Sequence, residues 1–187
     1  MDETIQLLLD EADEAMQKSL DHFEHELTKV RAGKASPTML EGIRVEYYGA
    51  PTPLNQVSTV TAPEARTLVI QPFEKSVIAN IERAIMEANL GFTPQNDGSV
   101  IRINIPMLTE ERRKELVKQA RGMAEDARVA IRNIRRDIND QLKKLKSEGV
   151  SEDEIKAGEQ EVQKLTDAYT QKVENHMEVK EQEIMTV

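Results

Sequence analysis

Three stretches of the chain carry apolar residues in steps of three and four. From about Glu3 to Val30 the stripe is Ile5, Leu8, Ala12, Met16, Leu20, Phe23, Leu27 and Val30, which predicts an amphipathic helix. Asp2 is placed to cap it, and Glu3 suits the positive end of the helix dipole. From Thr109 to Lys146 the stripe is Leu116, Ala120, Met123, Ala127, Ile131, Ile134, Ile138, Leu142 and Leu145, with no proline and one glycine, Gly122. Such a helix would span about 57 Å. Thr109 is its expected cap, and Lys143, Lys144 and Lys146 suit its far end. Gly149 is placed at C′, and Ser151 with Glu154 makes a capping box. The last helix carries Ile155, Val162, Leu165, Tyr169, Val173, Met177 and Ile184, and its thinner stripe near the end predicts fraying. Gly122, inside a helix at a cost of about 1 kcal/mol against Ala, reads as a mark of close helix packing.

The stretch between the first two helices is different in kind. Gly33, Ser36 and Pro37 end the first pattern. Ile43–Tyr48 alternates like a half-buried strand, putting Tyr47 and Tyr48 on opposite faces with one of the two rings free to be exposed. Gly49–Pro53 is a turn or edge segment. Val57–Val60 and Thr67–Ile70 read as short strands. Ser76 is placed to cap a helix running through Leu90, with Gly91 as its stop. Phe92–Ser99 reads as a loop, and Val100–Ile105 as a returning strand. Six of the seven prolines lie from Pro51 to Pro106, as a small mixed β/α domain would place them.

Three long helices with one apolar stripe each are most simply satisfied by packing on one another. The expected fold is α+β: a long antiparallel three-helix bundle of residues 1–31 and 107–187, interrupted by a small domain of residues 32–106. Two short connections, marked by Gly33, Ser36 and Pro37 on one side and Pro106 and Met107 on the other, would form a two-stranded hinge. An L-shaped molecule with a long rod and a shorter moving arm is the expectation.

Charge singles out the second long helix. Its stretch holds twelve of the 25 Lys and Arg against seven acids, while the whole chain stands at −9. Projected at about 100° per residue, Arg113, Lys114, Arg121, Arg128, Arg132 and Arg135 fall in an arc of roughly 100° beside the apolar stripe, which Lys118 and Arg136 widen to about 140°. An acidic chain with one arginine-rich edge can bind a polyanion in one orientation. Arginine suits this because its planar fork takes two phosphate oxygens and stacks on bases. Spacing alone leaves two readings open: an RNA-binding ridge, or a solvated face with ion pairs along the helix.

The other chemistry is sparse. Absence of Cys excludes disulfides and cysteine metal sites, and no apolar run reaches the roughly 18 residues of a membrane span. The acidic start carries no signal or transit pattern, so a cytoplasmic protein is expected. His22 and His25, beside Glu24 and Glu26, lack a third ligand cluster; His176 stands apart. Phosphate-loop, dinucleotide and nucleophile-elbow motifs are missing. An enzyme is therefore the least supported reading, behind RNA binding and behind a helical-rod adaptor or chaperone for protein partners.

The segments KVRAGKASPTMLEGIRVEYYGAPTPLNQVSTVTAPEARTLVIQPFE, LTEERRKELVKQARGMAEDARVAIRNIRRD and VQKLTDAY closely resemble bacterial ribosome recycling factor, and the resemblance runs over essentially the whole chain. It implies a three-helix bundle with a hinged β/α/β domain and a tRNA-like outline. It implies a non-enzymatic translation factor, without cofactor or bound metal, acting as a monomer. Its implied partners are the post-termination ribosome with mRNA and deacylated tRNA, the rRNA of the large subunit, and elongation factor G, whose GTP hydrolysis drives subunit splitting. The family's rRNA-binding arginines match Arg113, Arg132 and Arg135 here. Arg128 shares their face, Arg121 lies in the same arc, and Arg31 falls at the hinge end of the rod.

Overall fold

The computed structural model describes residues 2–30 and 33–186. They divide into two compact units, one of residues 2–30 and 110–186, the other of residues 33–109.

The first unit is three long helices: α1 (Glu3–Thr28), α4 (Glu110–Lys144) and α5 (Glu152–Met185). Asp2 caps α1 by accepting from the N–H groups of Thr4 and Ile5. The helix closes at Thr28, two residues short of the end expected from the stripe. Val30 is still buried and its N–H bonds the Leu27 carbonyl. Met16, Leu20, Phe23 and Leu27 of α1 pack with Ala120, Ala124, Ala127 and Ile131 of α4 and Tyr169, Val173 and Met177 of α5. A second cluster joins Ile5, Leu8, Leu9 and Ala12 to Ile138, Leu142, Ile155 and Val162. The first residues of α1 thus meet the last of α4 and the first of α5, so α4 runs antiparallel to both neighbours. Facing two helices, α4 needs a wider apolar surface than a single stripe. Val117 and Ala124 are buried in addition to the expected residues, while Met123 and Ile134 are only partly covered.

The turn after α4 is a 3-10 segment, Leu145–Glu148, closed by Gly149 at φ 92°. Ser151 then caps α5 by accepting from the Glu154 N–H at 3.2 Å. The helix does not fray where the stripe thins. It continues to Met185, and Ile184 is fully buried.

Close helix packing falls on Gly158 rather than Gly122. A Cβ on Gly158 would lie 3.1 Å from Ile5 Cγ2 and 3.3 Å from Leu142 Cδ2, whereas one on Gly122 would meet nothing within 4 Å. The expectation for Gly122 is therefore corrected: it stands on an exposed stretch of α4.

The second unit opens with a 3-10 turn, Pro37–Leu40, followed by the hairpin β1 (Arg44–Tyr47) and β2 (Ala50–Pro53). One turn of helix, α2 (Leu54–Val57), leads to β3 (Ser58–Glu64) and β4 (Thr67–Pro72). A 3-10 turn, Lys75–Val77, precedes α3 (Ile78–Glu87), and β5 (Pro94–Asn96) and β6 (Ile101–Asn104) complete the unit. β3–β6 form an antiparallel sheet in the order β3-β4-β6-β5. In its two central strands Leu68 pairs with Ile103 and Ile70 with Ile101, all four fully buried. Ile81 and Ile85 of α3 join the same core.

Two expectations fail here. Ser76 does not cap α3, because the 3-10 turn absorbs it and α3 starts at Ile78 without a side-chain cap. Phe92–Ser99 is not all loop: Pro94–Asn96 pairs with β6 as an edge strand, where a proline without N–H is tolerated.

The hairpin turn gives the tyrosines an arrangement that alternation does not predict. Tyr48 and Gly49 both have positive φ, 48° and 79°, as a two-residue I′ turn requires. For an L side chain that conformation costs about 1–2 kcal/mol, and Asn is the usual occupant. Tyr48 lies beyond the strand, so its ring turns back toward Tyr47 instead of pointing to the opposite face. The rings meet edge to face, 4.5 Å apart, and both hydroxyls donate to Glu74, at 2.8 and 3.0 Å.

Candidate nucleic-acid interface

The arginines of α4 sort into two rows. Arg113, Arg121, Arg128 and Arg135 recur at steps of eight, seven and seven, the spacing of residues flanking a helix–helix seam. Each reaches α5. Arg113 Nη1 donates to the Met185 carbonyl at 3.1 Å, Arg121 pairs with Glu181 at 2.6 Å, Arg128 pairs with Glu174, and Arg135 donates to Gln163 at 3.4 Å. Arg113 therefore neutralises the negative end of the α5 dipole. Its Nε is buried without a partner.

The outer row is Lys118, Arg132 and Arg136. Arg132 pairs with Glu125 at 2.9 Å, and Arg136 makes a long contact of 3.7 Å with neighbouring Asp137. Glu125 also holds Arg128, at 3.0 Å. The Arg128 hydrogen bond is the main cause that keeps the Glu125 carboxyl below its ordinary range, with Arg132 adding to it. Arg128 is the most sheltered of the paired arginines, with 27% of its side chain exposed against 54% for Arg132.

The edge is thus less bare than the projection suggests. Glu125, Glu174 and Glu181 occupy it in the free protein. Pairs this exposed are typically worth about 0–1 kcal/mol each, so a phosphate offering a bidentate partner can replace a carboxylate at small cost. Near one end, Lys114, Val117, Lys118, Arg121, Glu181 and Met185 line a notch of about 260 Å³. Sequence projection missed the α5 carboxylates, because it does not say which helix packs beside the arc. The sevenfold repeat of Arg121, Arg128 and Arg135 was the available sign of a seam.

Arg31 lies outside the described residues. Of the positions expected at the hinge, Gly33 has φ 81°, and a Cβ there would sit 3.1 Å from Leu108 Cγ, so glycine is needed on both counts. Ser36 Oγ accepts from the Thr38 N–H at 3.4 Å, and Pro37 opens the 3-10 turn. Pro106 and Met107 are exposed. The Ala35 N–H bonds the Ala65 carbonyl and the Ile105 N–H bonds the Arg66 carbonyl, so both flanks of the small unit hang from the β3–β4 turn.

His176 pairs with Glu24 at 2.8 Å. Among the described residues there is no group of three or more His, Asp or Glu that could hold a metal, and no helix is long and apolar enough to cross a membrane.

Comparison with known proteins agrees over the whole chain. Residues 23–185 match the family model described as Ribosome recycling factor. The ribosome-recycling factor of Cytophaga hutchinsonii is 55% identical over 99% of this chain and 100% of its own. That of Bacillus subtilis is 54% identical over 96% and 98%. A solution structure of the ribosome recycling factor covers 100% of both chains at 40% identity, with a TM-score of 0.73. A second structure holds the T. thermophilus ribosome recycling factor and E. coli elongation factor G bound to the E. coli post-termination complex. That factor is 51% identical over 96% of this chain and 98% of its own, with a TM-score of 0.60. The helical unit with its arginine edge, the small sheet unit inserted into it and the full-length matches together place this chain in the ribosome recycling factor family.

Proposed function

We propose that this chain splits post-termination ribosomes together with elongation factor G and GTP, and that α4 anchors it on the rRNA of the large subunit. The observation that carries the reading is the end-to-end match to ribosome-recycling factors at 55% identity. The T. thermophilus relative seen with elongation factor G on a post-termination complex supports the choice of partners.

In this mechanism the outer row makes the first phosphate contacts, with Arg132 central. Arg121 and Arg128 follow by exchanging Glu181 and Glu174 for phosphate, and Arg113 and Arg135 hold α4 in register with α5 while offering their remaining N–H groups. Arg31 would extend the surface. The rod then resists while elongation factor G displaces the small unit about its two connections, at Gly33–Pro37 and Pro106–Met107. Displacement of the small unit breaks contacts between the subunits. Hydrolysis belongs to the GTPase, and the factor contributes position and leverage as a monomer without a cofactor.

Light scattering from 70S ribosomes carrying mRNA and deacylated tRNA tests the proposal. The full chain with elongation factor G and GTP is expected to lower the scattering as subunits part, and omission of any one component to leave it flat. Scattering that stays flat with all components present would overturn the reading.

A further inference from the structure

The exposed aromatic surface of the small unit is unlike the rest of the molecule. The chain has six Phe and Tyr and no Trp, yet Tyr47 and Tyr48 share the Glu74 carboxylate and Phe73 lines the same cavity as Tyr47 and Glu74. Tyr48 is 80% and Phe73 65% exposed. Beside them lies a cavity of about 290 Å³, lined by Tyr47, Thr52, Gln56, Val57, Phe73, Glu74 and Val77. That is just below the roughly 300–1,000 Å³ range of small-molecule sites, so a single side chain suits it better than a cofactor.

The chemistry of the walls selects the occupant. Val57 and Val77 are buried and give an apolar floor. Phe73 and Tyr47 offer ring surfaces whose faces attract cations. Glu74 accepts one phenol hydroxyl on each oxygen, which leaves a lone pair on each and the negative charge in place. No Lys or Arg lines the cavity. Lys75 follows Glu74 in the chain, but among the described residues no ion pair joins a cation to Glu74. A phosphate backbone would meet an uncompensated carboxylate here, so nucleic acid is disfavoured.

The strained turn adds an independent observation. An aromatic residue at positive φ is uncommon, and outliers of this kind gather at binding sites. Here the conformation brings a second hydroxyl to Glu74 and fixes the carboxylate plane.

We propose that the notch between the β1–β2 hairpin and the Phe73–Val77 segment captures an arginine side chain presented by a protein partner. The aliphatic stem would lie on Val57 and Val77, and the guanidinium would stack on an aromatic ring while its fork engages Glu74. Arginine is preferred over lysine because only a planar cation uses a ring face and two carboxylate oxygens at once.

The test titrates the full-length 15N-labelled chain with the capped peptide Gly-Arg-Gly. Its Gly-Lys-Gly and citrulline counterparts and a uridine tetranucleotide are run in parallel. The arginine peptide is expected to shift the amides of Tyr48, Phe73 and Glu74 saturably, with the lysine peptide weaker and the citrulline peptide failing to saturate. Glu74→Gln keeps a carbonyl acceptor for one tyrosine, offers the other phenol oxygen an N–H, and removes the charge, and is expected to weaken the arginine peptide about tenfold. Phe73→Ala changes an exposed side chain, so it is not expected to disturb the fold, and should weaken the peptide about threefold. Equal binding of the citrulline peptide, unchanged affinity in both variants, or a stronger response of the same amides to the tetranucleotide would overturn the proposal.

Discussion

Arg132 and Arg128 sit four residues apart and share Glu125, yet they are differently placed to meet a ligand. Arg128 is sheltered and also holds Glu174, while Arg132 stands more than half exposed with Glu125 alone. Arg132→Ala should therefore weaken binding to large subunits about tenfold at low salt. It should also flatten the salt dependence by about one counterion, read by cosedimentation across a salt series. Glu125→Gln is the counterpart. Freeing Arg132, while Arg128 keeps Glu174, should tighten binding by about two- to threefold, and no gain would show that the Glu125 pairs do not compete with RNA. Tyr169 makes a different prediction. Burial, followed by its hydrogen bond to Asp13, pushes its phenol up to about 12. A phenol raised in the folded state stabilises fully below the ordinary value near 10, and that contribution is lost as pH rises toward 12. Tyr169→Phe should be the less stable protein at pH 8, by about 0.5–1.5 kcal/mol. The gap should close and reverse between about pH 10 and 12, measured by denaturant unfolding at each pH.

Two helical glycines test the packing of whole elements. Gly122 costs α4 about 1 kcal/mol and meets nothing, so Gly122→Ala should raise thermal stability by about that amount. Gly158→Ala adds a methyl 3.1 Å from Ile5 Cγ2 and 3.3 Å from Leu142 Cδ2, both on fully buried side chains that would have to shift. Overpacking of about 1–3 kcal/mol should outweigh the gain in propensity, so the same calorimetric comparison should show a loss. These opposite outcomes also show what could be read in advance. The stripes of α1, α4 and α5 were legible because each helix buries one broad face whatever its partner, and Ser151 and Gly149 declared the turn between α4 and α5. Gly158 was not legible, since only the juxtaposition with Ile5, more than 150 residues away, demands it. Pro-Gln-Asn at β5 carries no alternation at all, and its pairing is imposed by β6. On the candidate interface the arc of arginines was visible, but the carboxylates opposing them belong to α5 and entered only through packing. The orientation of Tyr48 depended on a turn conformation that tyrosine rarely adopts.

For the molecule as a whole, the proposed mechanism separates grip from movement. A reversible cross-link tying the 33–109 unit to the helical unit should leave large-subunit binding within about twofold. It should abolish splitting in the scattering assay, with activity returning on reduction. Full splitting by the cross-linked protein would remove the need for relative motion.

The paired anchorage of Ala35 on Ala65 and Ile105 on Arg66 bears on how such a protein can arise and be rebuilt. A segment whose beginning and end are fastened side by side behaves as a cassette. It can be lifted out and the gap closed by a brief loop without rethreading the host, or exchanged for another with its ends equally close. The helical unit need never have been redesigned to accept it.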